Sequence, residues 1–420
     1  MRRVVIVATL DVRGQWGGVW HFTASLIRAL GQLRDGNEEY VIDSSPAAAT
    51  RLASLLGRNQ RLIVRPEPKI RTIARRAASI AGPTRVLADA VYGIVHRARP
   101  GRVAIPEDSD RYYERLSADV LHIPFQSFVR AGVPTVYNPH DLQHLHYPQF
   151  FDAETLALRD LVYPAGCREA AAVVVESAWV RDDVIRQFGV GPAKVHNVVW
   201  DAPTETTEPP TPAEIADVRS RLRFEPGFAF YPAQTWRHKN HVTLLRALAT
   251  LRDRNGRRIN LVCTGHRNHY WPTIRSELRD LHLDAQVQFL GYVPARTLRA
   301  IYRLAGFVVY PTLFEGGGFP VLEAFREGLP LVASRVMSLL EYGGDAAVFF
   351  DPNSVDDMAD AIESVASNPG LRAELVRRGA LRMKTFNWDR AARGYRAIYR
   401  ACAGIALTDE DKALLIASRA

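Results

Sequence analysis

Short apolar, β-branched runs alternate along the chain with longer stretches whose apolar residues recur at helical spacing, the pattern of parallel sheets covered by helices. In the first half, residues 4–8, 40–43, 62–64, 120–123, 135–137, 172–175 and 195–199 read as strands. The spacing predicts a helix over 19–33, with Phe22, Leu26, Ala29, Leu30 and Leu33 on one face and Gly36 as a stop signal. Residues 201–212, four prolines among threonines and glutamates, carry no apolar period and read as a linker. The alternation then restarts, with strands predicted at 228–231, 259–263, 287–290, 307–310, 331–333 and 347–350. The economical architecture is α/β, with two doubly wound, Rossmann-like domains at 1–200 and 227–385. A linker and lead-in at 201–226 joins them, and a C-terminal segment at 386–420 follows. Open parallel sheets bind at the carboxyl ends of their strands, so two such domains facing each other would bind in the cleft between them.

Composition narrows the partners. With 420 residues, 47% hydrophobic and 24% charged, the chain is globular and long enough for two full cores, which excludes disordered and fibrous proteins. The net charge of +9 is uneven: residues 51–102 hold twelve Lys or Arg against Glu67 and Asp89, while the rest of the chain sums to −1. A concentrated patch suits an anionic partner, whether nucleic acid, a membrane surface or an acidic substrate; a plain solvated surface is the alternative. Residues 69–81 place Ile70, Ile73, Ala74, Ala77, Ile80 and Ala81 on one helical arc with arginines outside it, a packed surface helix or one lying on a membrane. Three scattered cysteines suit a reducing compartment, and residues 4–10, cut off by Asp11, read as a buried strand rather than a leader. No apolar run reaches the length of a membrane span. A cytoplasmic protein with at most peripheral membrane contact is expected.

The chemistry concentrates after the strand at 307–310. There Glu315 is followed by Gly316, Gly317 and Gly318, then Phe319 and Pro320 at a helix start, with Glu323 a turn inside. Glycines let a ligand approach the backbone, and the N–H groups of a new helix end favour an anion. The two carboxylates, which accept hydrogen bonds only, suit sugar hydroxyls on either side of that turn. Taken alone, the turn reads equally as an ordinary strand-to-helix connection.

The neighbourhood decides between them. Glu315 to Glu323 resembles the E-x7-E signature of the retaining glycosyltransferases of the GT-B fold known as family 4, or group 1. The likeness continues through Phe289, Leu290, Gly291, Tyr292 and Pro294 before it and through Leu331 to Ser334, Glu341 and Asp351-Pro352 after it. The resemblance implies that Glu323 binds the ribose hydroxyls of a nucleotide and Glu315 the donor sugar. It implies that Gly316, Gly317, Gly318 and Phe319 contact sugar and diphosphate, and that Gly291 and Tyr292 lie at the base. Lys239, at the start of the helix capped by Asn240, would neutralise charge developing on a diphosphate leaving group. Where the family usually has an arginine five residues earlier, this chain has Gln234; either Arg237 supplies that charge or the site works with one cation fewer. Gly17 and Gly18 resemble the family's glycine loop, here running from Gly14 to Trp20, that meets the donor phosphates. His140, at the end of the 135–137 strand, matches a histidine lying over the donor sugar, with Asp141 beside it.

His144 and His146 close by would make a poor metal cluster from one irregular loop. The D-x-D of Asp409 to Asp411 reads as a helix start, so metal-independent transfer with no cofactor is expected. Phe386, Trp388 and Tyr395 resemble the helices that cross back to the first domain in this fold. The expected function is transfer of a hexose, with mannose from GDP-mannose favoured, from a nucleotide sugar to a glycan or lipid-linked acceptor in cell-surface polysaccharide synthesis. The basic segment would dock on anionic lipid. A phosphorylase or epimerase on the same fold is the enzymatic alternative. A nucleic-acid-binding protein is the non-enzymatic one, disfavoured because no recognition motif is present.

Overall fold

The computed structural model describes residues 2–8, 17–65, 106–204 and 209–419. Seven parallel strands form the first sheet: β1 (Arg2–Ala8), β2 (Glu38–Ser44), β3 (Gln60–Val64), β5 (Val120–Ile123), β7 (Thr135–Tyr137), β8 (Ala172–Val175) and β9 (Val195–Asn197), in the order β3-β2-β1-β5-β7-β8-β9. A separate pair, β4 (Glu107–Asp108) with β6 (Val129–Arg130), was not anticipated; two-residue strands leave no readable period. The second sheet holds β10 (Ala229–Pro232), β11 (Leu261–Thr264), β12 (Val287–Phe289), β13 (Phe307–Tyr310), β14 (Leu331–Ser334) and β15 (Ala347–Phe350), ordered β12-β11-β10-β13-β14-β15. Each order reverses next to the sheet's first strand, the switch point of a doubly wound fold, where a crevice opens at the carboxyl ends. Every strand read from the sequence is present, because strands covered on both faces are written as unbroken apolar runs.

The helix Gly18–Gln32 buries the face read from its spacing: Phe22, Leu26, Ala29, Leu30 and Leu33 are all inside. The stretch read as a linker is partly built in. Ala202 is buried and its carbonyl accepts from the Trp388 indole at 2.9 Å, while the Pro203 carbonyl accepts from Arg326 at 2.8 Å. A helix begins at Pro212, its N-cap Thr211 closing a capping box with Glu214. Residues 205–208 lie outside the described residues, as do Gly14 of the first glycine loop and most of the basic segment, including the helix read over 69–81. Among the described residues no helix is long and apolar enough to cross a membrane.

The chain returns to its first domain at the end. The helix Trp388–Cys402 packs against Gly18–Gln32, and polar bonds fix its register. Tyr395 and Asn138 share a 2.8 Å bond, Tyr399 meets His122 at 2.8 Å, and Arg396 pairs with Asp35 at 2.7 Å. The last helix, Asp409–Ala417, starts on the D-x-D: Thr408 caps it reciprocally with Asp411, which is buried against Arg400.

Arg400 bridges Glu38 of the first domain (2.7 Å) and Asp411 of the last helix (2.9 Å), all three nearly out of solvent. Arg400→Met strands two buried carboxylates and should cost about 3–5 kcal/mol, read as a lowered thermal midpoint at neutral pH. Burial pushes the Asp411 carboxyl up, but Thr408 and Arg400 together hold it below its ordinary value. Such a group stabilises only while ionised, so the gap between variant and parent should narrow as pH falls through that depressed pKa.

Candidate active site in the interdomain cleft

After β10 the chain makes a tight turn at Arg237–Lys239 and enters the helix His241–Asn255 through Asn240, which adopts a left-handed φ of 58°. Asn240 does not cap that helix with its side chain, contrary to the expectation from sequence. Its amide donates instead to the carbonyls of Pro311 (3.0 Å) and Pro352 (2.8 Å) while its oxygen accepts from Thr243 at 2.6 Å. One asparagine thereby ties together the chain segments that leave β10, β13 and β15, and Lys239 stands beside the knot. The Lys239 ammonium lies 2.5 Å from Glu315 and 5.7 Å from the centre of the Tyr310 ring. Two residues 76 positions apart, assigned separately to phosphate and sugar, form one largely buried ion pair.

Glu323 accepts from the Tyr302 hydroxyl at 2.8 Å. Burial pushes its carboxyl above the ordinary range, against the pull of Arg326 and of the Tyr302 bond. Its helix, Phe319–Arg326, starts one residue before Pro320, so the proline takes the second helical position.

The three glycines serve a tighter purpose than ligand approach alone. A Cβ at Gly316 would lie 2.5 Å from the His140 carbonyl oxygen, at Gly317 2.7 Å from the Trp200 ring, and at Gly318 2.8 Å from the Tyr342 ring. His140 and Trp200 come from the first domain, so side chains are absent here because the two domains meet. The Ser177 hydroxyl donates to the Gly316 carbonyl at 3.2 Å, and the Tyr342 hydroxyl to the Glu176 carbonyl at 2.9 Å. Glu341 accepts from the first N–H groups of the helix Ala178–Phe188 at 2.8 and 2.7 Å, capping a first-domain helix from the second domain. The Phe319 ring lies 4.1 Å from Trp200, which makes Phe319 part of this seam. Gly17 and Gly18 differ: added methyl groups would meet nothing closer than 3.7 and 3.9 Å, leaving their backbone open to the cleft.

Across from Glu315 stands His140, at a φ of 65° that a residue with a side chain rarely adopts. Two contacts and an edge-on Phe22 ring 5.1 Å away hold it there. Its Nε2 bonds the Pro124 carbonyl at 2.9 Å and must carry the proton, since a carbonyl only accepts. Its Nδ1 faces Glu176 at 3.5 Å, with both side chains buried. Burial alone would pull the ring below its ordinary pKa, but the Glu176 carboxylate, helped by the Pro124 bond, holds it above. The second Glu176 oxygen is buried without a partner. Sequence reasoning passed over Glu176, although a charge directly after the apolar run of β8 is the same strand-end signal that singled out His140.

These groups line one cavity of about 1180 Å³. Gly17, Gly18, Lys239, Arg237, Tyr292 and Glu323 all face it, together with His140, Glu176 and Glu315. Gly291, with φ 74°, turns the chain just ahead of Tyr292, which is half exposed and stacks on His266 at 4.6 Å. The remaining candidates separate. Gln234 accepts from the Trp236 indole at 2.9 Å, and Arg237 lies over the Phe150 ring of the first domain at 5.0 Å. His144 is buried against Tyr163, and burial, with the charges of Arg159 and His146, holds it down at about 4. His146 bonds Asp183 at 2.7 Å, so the two histidines serve different partners.

The chain is similar to known proteins. The description "Glycosyltransferase Family 4" matches residues 16–198, and "Glycosyl transferases group 1" matches residues 215–382. The chain is 28% identical over 255 residues to O-antigen chain mannosyltransferase B of Escherichia coli, covering 60% of this chain and 66% of that one. It is 27% identical over 248 residues to D-inositol 3-phosphate glycosyltransferase of Corynebacterium aurimucosum, covering 57% and 59%. The matched stretch thus spans about three fifths to two thirds of these relatives' own length. Among solved structures, Anabaena HepE in complex with UDP-glucose superimposes with a TM-score of 0.67 at 17% identity, over 96% of this chain and all of that one, and shows the same fold. With one description matching each of the two facing domains, the chain belongs to the GT-B glycosyltransferases of family 4, the group 1 glycosyl transferases.

Proposed function

We propose that the chain transfers a hexose from a nucleoside-diphosphate sugar to a hydroxyl group of a glycan or lipid-linked acceptor in cell-surface polysaccharide synthesis, with retention at the anomeric carbon. The observation that carries this reading is the meeting of the Lys239–Glu315 pair with the His140–Glu176 pair across one cavity lined at its far end by Glu323. Glu323, held by Tyr302, presents acceptor oxygens for ribose hydroxyls. Lys239 can exchange its Glu315 contact for the leaving diphosphate, and the freed carboxylate then accepts from donor-sugar hydroxyls. Desolvated charge of this kind is worth most where negative charge builds up in the transition state.

Three of the carboxylates lining this cleft are already engaged: Glu315 by Lys239, Glu176 by His140, Glu323 by Tyr302. Asp141 and Asp152, which also line it, accept from the Gln143 and Thr155 N–H groups, so none of the five stands out as a covalent nucleophile, which favours displacement on one face. The acceptor oxygen bonds to the anomeric carbon as the bond to the diphosphate oxygen breaks, and the acceptor proton passes to the departing phosphate. His140, whose pKa the Glu176 carboxylate holds above the ordinary value against burial, would support the negative charge of that oxygen in its charged form. Lys239 and the helix start at Phe319 do the work that a divalent ion does elsewhere, so transfer should survive a chelator. Mannose is favoured by the O-antigen mannosyltransferase relatives of Escherichia coli and Salmonella typhimurium, while the UDP-glucose held by HepE supports a UDP-sugar as the competing donor.

A thermal-shift series with GDP, UDP, ADP and dTDP should show one nucleotide raising the midpoint by mass action, and Glu323→Ala should abolish that shift. Lys239→Met should lower kcat by about 10²–10³ in a sugar-transfer assay, the scale of one lost transition-state contact. NMR of the product's anomeric proton should show the donor's configuration; an inverted product would overturn the one-face mechanism. The ring of His140 should titrate above the ordinary histidine value by NMR. In Glu176→Gln it should fall below that value, because burial then acts with little to oppose it.

A further inference from the structure

The first-domain wall of the cavity holds charge that donor binding leaves unused. Arg159, on the helix Ala153–Glu169, faces the cavity with its guanidinium 4.5 Å from the Phe151 ring centre and 5.4 Å from that of Tyr163. Its Nη1 is buried with no hydrogen-bond partner. Arg237 arrives from the second domain and rests on Phe150, the neighbouring ring in the chain. Among the described residues neither arginine forms an ion pair, whereas Lys239 on the same cavity pairs with Glu315. Gln143 also faces the cavity; it is only 8% exposed, yet its Nε2 donates to nothing. The charge of Arg159 reaches across the cleft: after burial, Lys239 and His241, it is the smallest of the causes that hold His238, the residue beside Arg237, well below its ordinary pKa.

The buried Arg159 Nη1 and the buried Gln143 amide are costly without partners, and an anionic ligand removes that cost; Arg237, itself exposed, adds positive charge on the same cavity. The donor diphosphate already has Lys239 and the helix start at Phe319. We propose that Arg159, Arg237 and Gln143 form a phosphate subsite for the acceptor, so that the acceptor carries a phosphate or diphosphate instead of being a neutral glycan. This rests on the transfer reading above and removes Arg237 from the donor side, leaving Gln234 without a substitute cation. Phosphate can come from a soluble sugar phosphate or from a carrier-linked diphosphate. The same helix turns Leu158 and Leu161 outward, each about half exposed, a surface that suits a carrier's hydrocarbon chain.

Titration calorimetry on the whole chain, with and without saturating nucleoside diphosphate, tests this with glycerol 1-phosphate, glycerol and geranyl diphosphate. The wild type should bind glycerol 1-phosphate and not glycerol. Arg159→Gln should weaken the phosphate at least about tenfold while circular dichroism shows the fold intact, and Arg159→Lys should recover part of the loss. Tighter binding of geranyl diphosphate than of glycerol 1-phosphate assigns a carrier-linked acceptor, and the reverse order a soluble one. Equal binding of glycerol and glycerol 1-phosphate, or an Arg159→Gln protein that binds phosphate as the wild type does, would overturn the proposal. A protein that binds phosphate through Arg159 but no nucleotide would instead count against the transfer reading.

Discussion

Two domains of this size can share a deep cleft only if somewhere their backbones touch, and here they touch at Gly316–Gly318. Every one of those residues lies where a Cβ would collide with the other domain or with Tyr342. Around the contact, aromatic rings do the packing: Trp200 meets Phe319, Phe22 and Trp388, and Phe22 carries the edge of His140. The close approach therefore sets the floor of the cavity and the position of its histidine together. The helix Trp388–Cys402 fastens the same region from behind, because Tyr395 bonds Asn138 two residues before His140. A displacement of the seam would reach the site without passing through any flexible segment.

The electrostatics follow from that geometry. Bringing strand ends of two sheets face to face removes water from Glu315, Glu176 and Glu323 at once, and three buried carboxylates near each other must be compensated. Lys239, His140 and Tyr302 are the compensating groups, one for each acid. In each pair the carboxylate lies on the cavity wall. Among the described residues Arg159 and Arg237, on the same cavity, have no acid partner.

Much of this was legible in the chain. Parallel strands covered on both faces are apolar runs, so their positions could be read, and the helix Gly18–Gln32 from its one-sided apolar spacing; the return of the last helices came only from the likeness of Phe386, Trp388 and Tyr395 to the family's closing helices. The glycine loop between Glu315 and Glu323 could be read as a site only through its resemblance to the E-x7-E signature, since taken alone it reads equally as a strand-to-helix connection. The identity of that neighbour was not legible. Glycine records that something lies near, and nothing in residues 316–318 says whether it is a ligand or Trp200.

The sequence by itself determined the strands, their division into two sheets, the family and several charged residues at strand ends though not Glu176, because each depends on a local pattern or a strict turn. Only the tertiary structure decided which charges meet. Lys239 with Glu315, His140 with Glu176, and Arg237 on Phe150 are pairs whose members come from different strands or different domains. Their separation along the chain carries no trace of the contact, since the pairing is set by sheet order and by the closeness that the glycines permit. The same reason explains Asn240: its type predicts a helix cap, and only the convergence of three strand ends turns its amide to the carbonyls of Pro311 and Pro352.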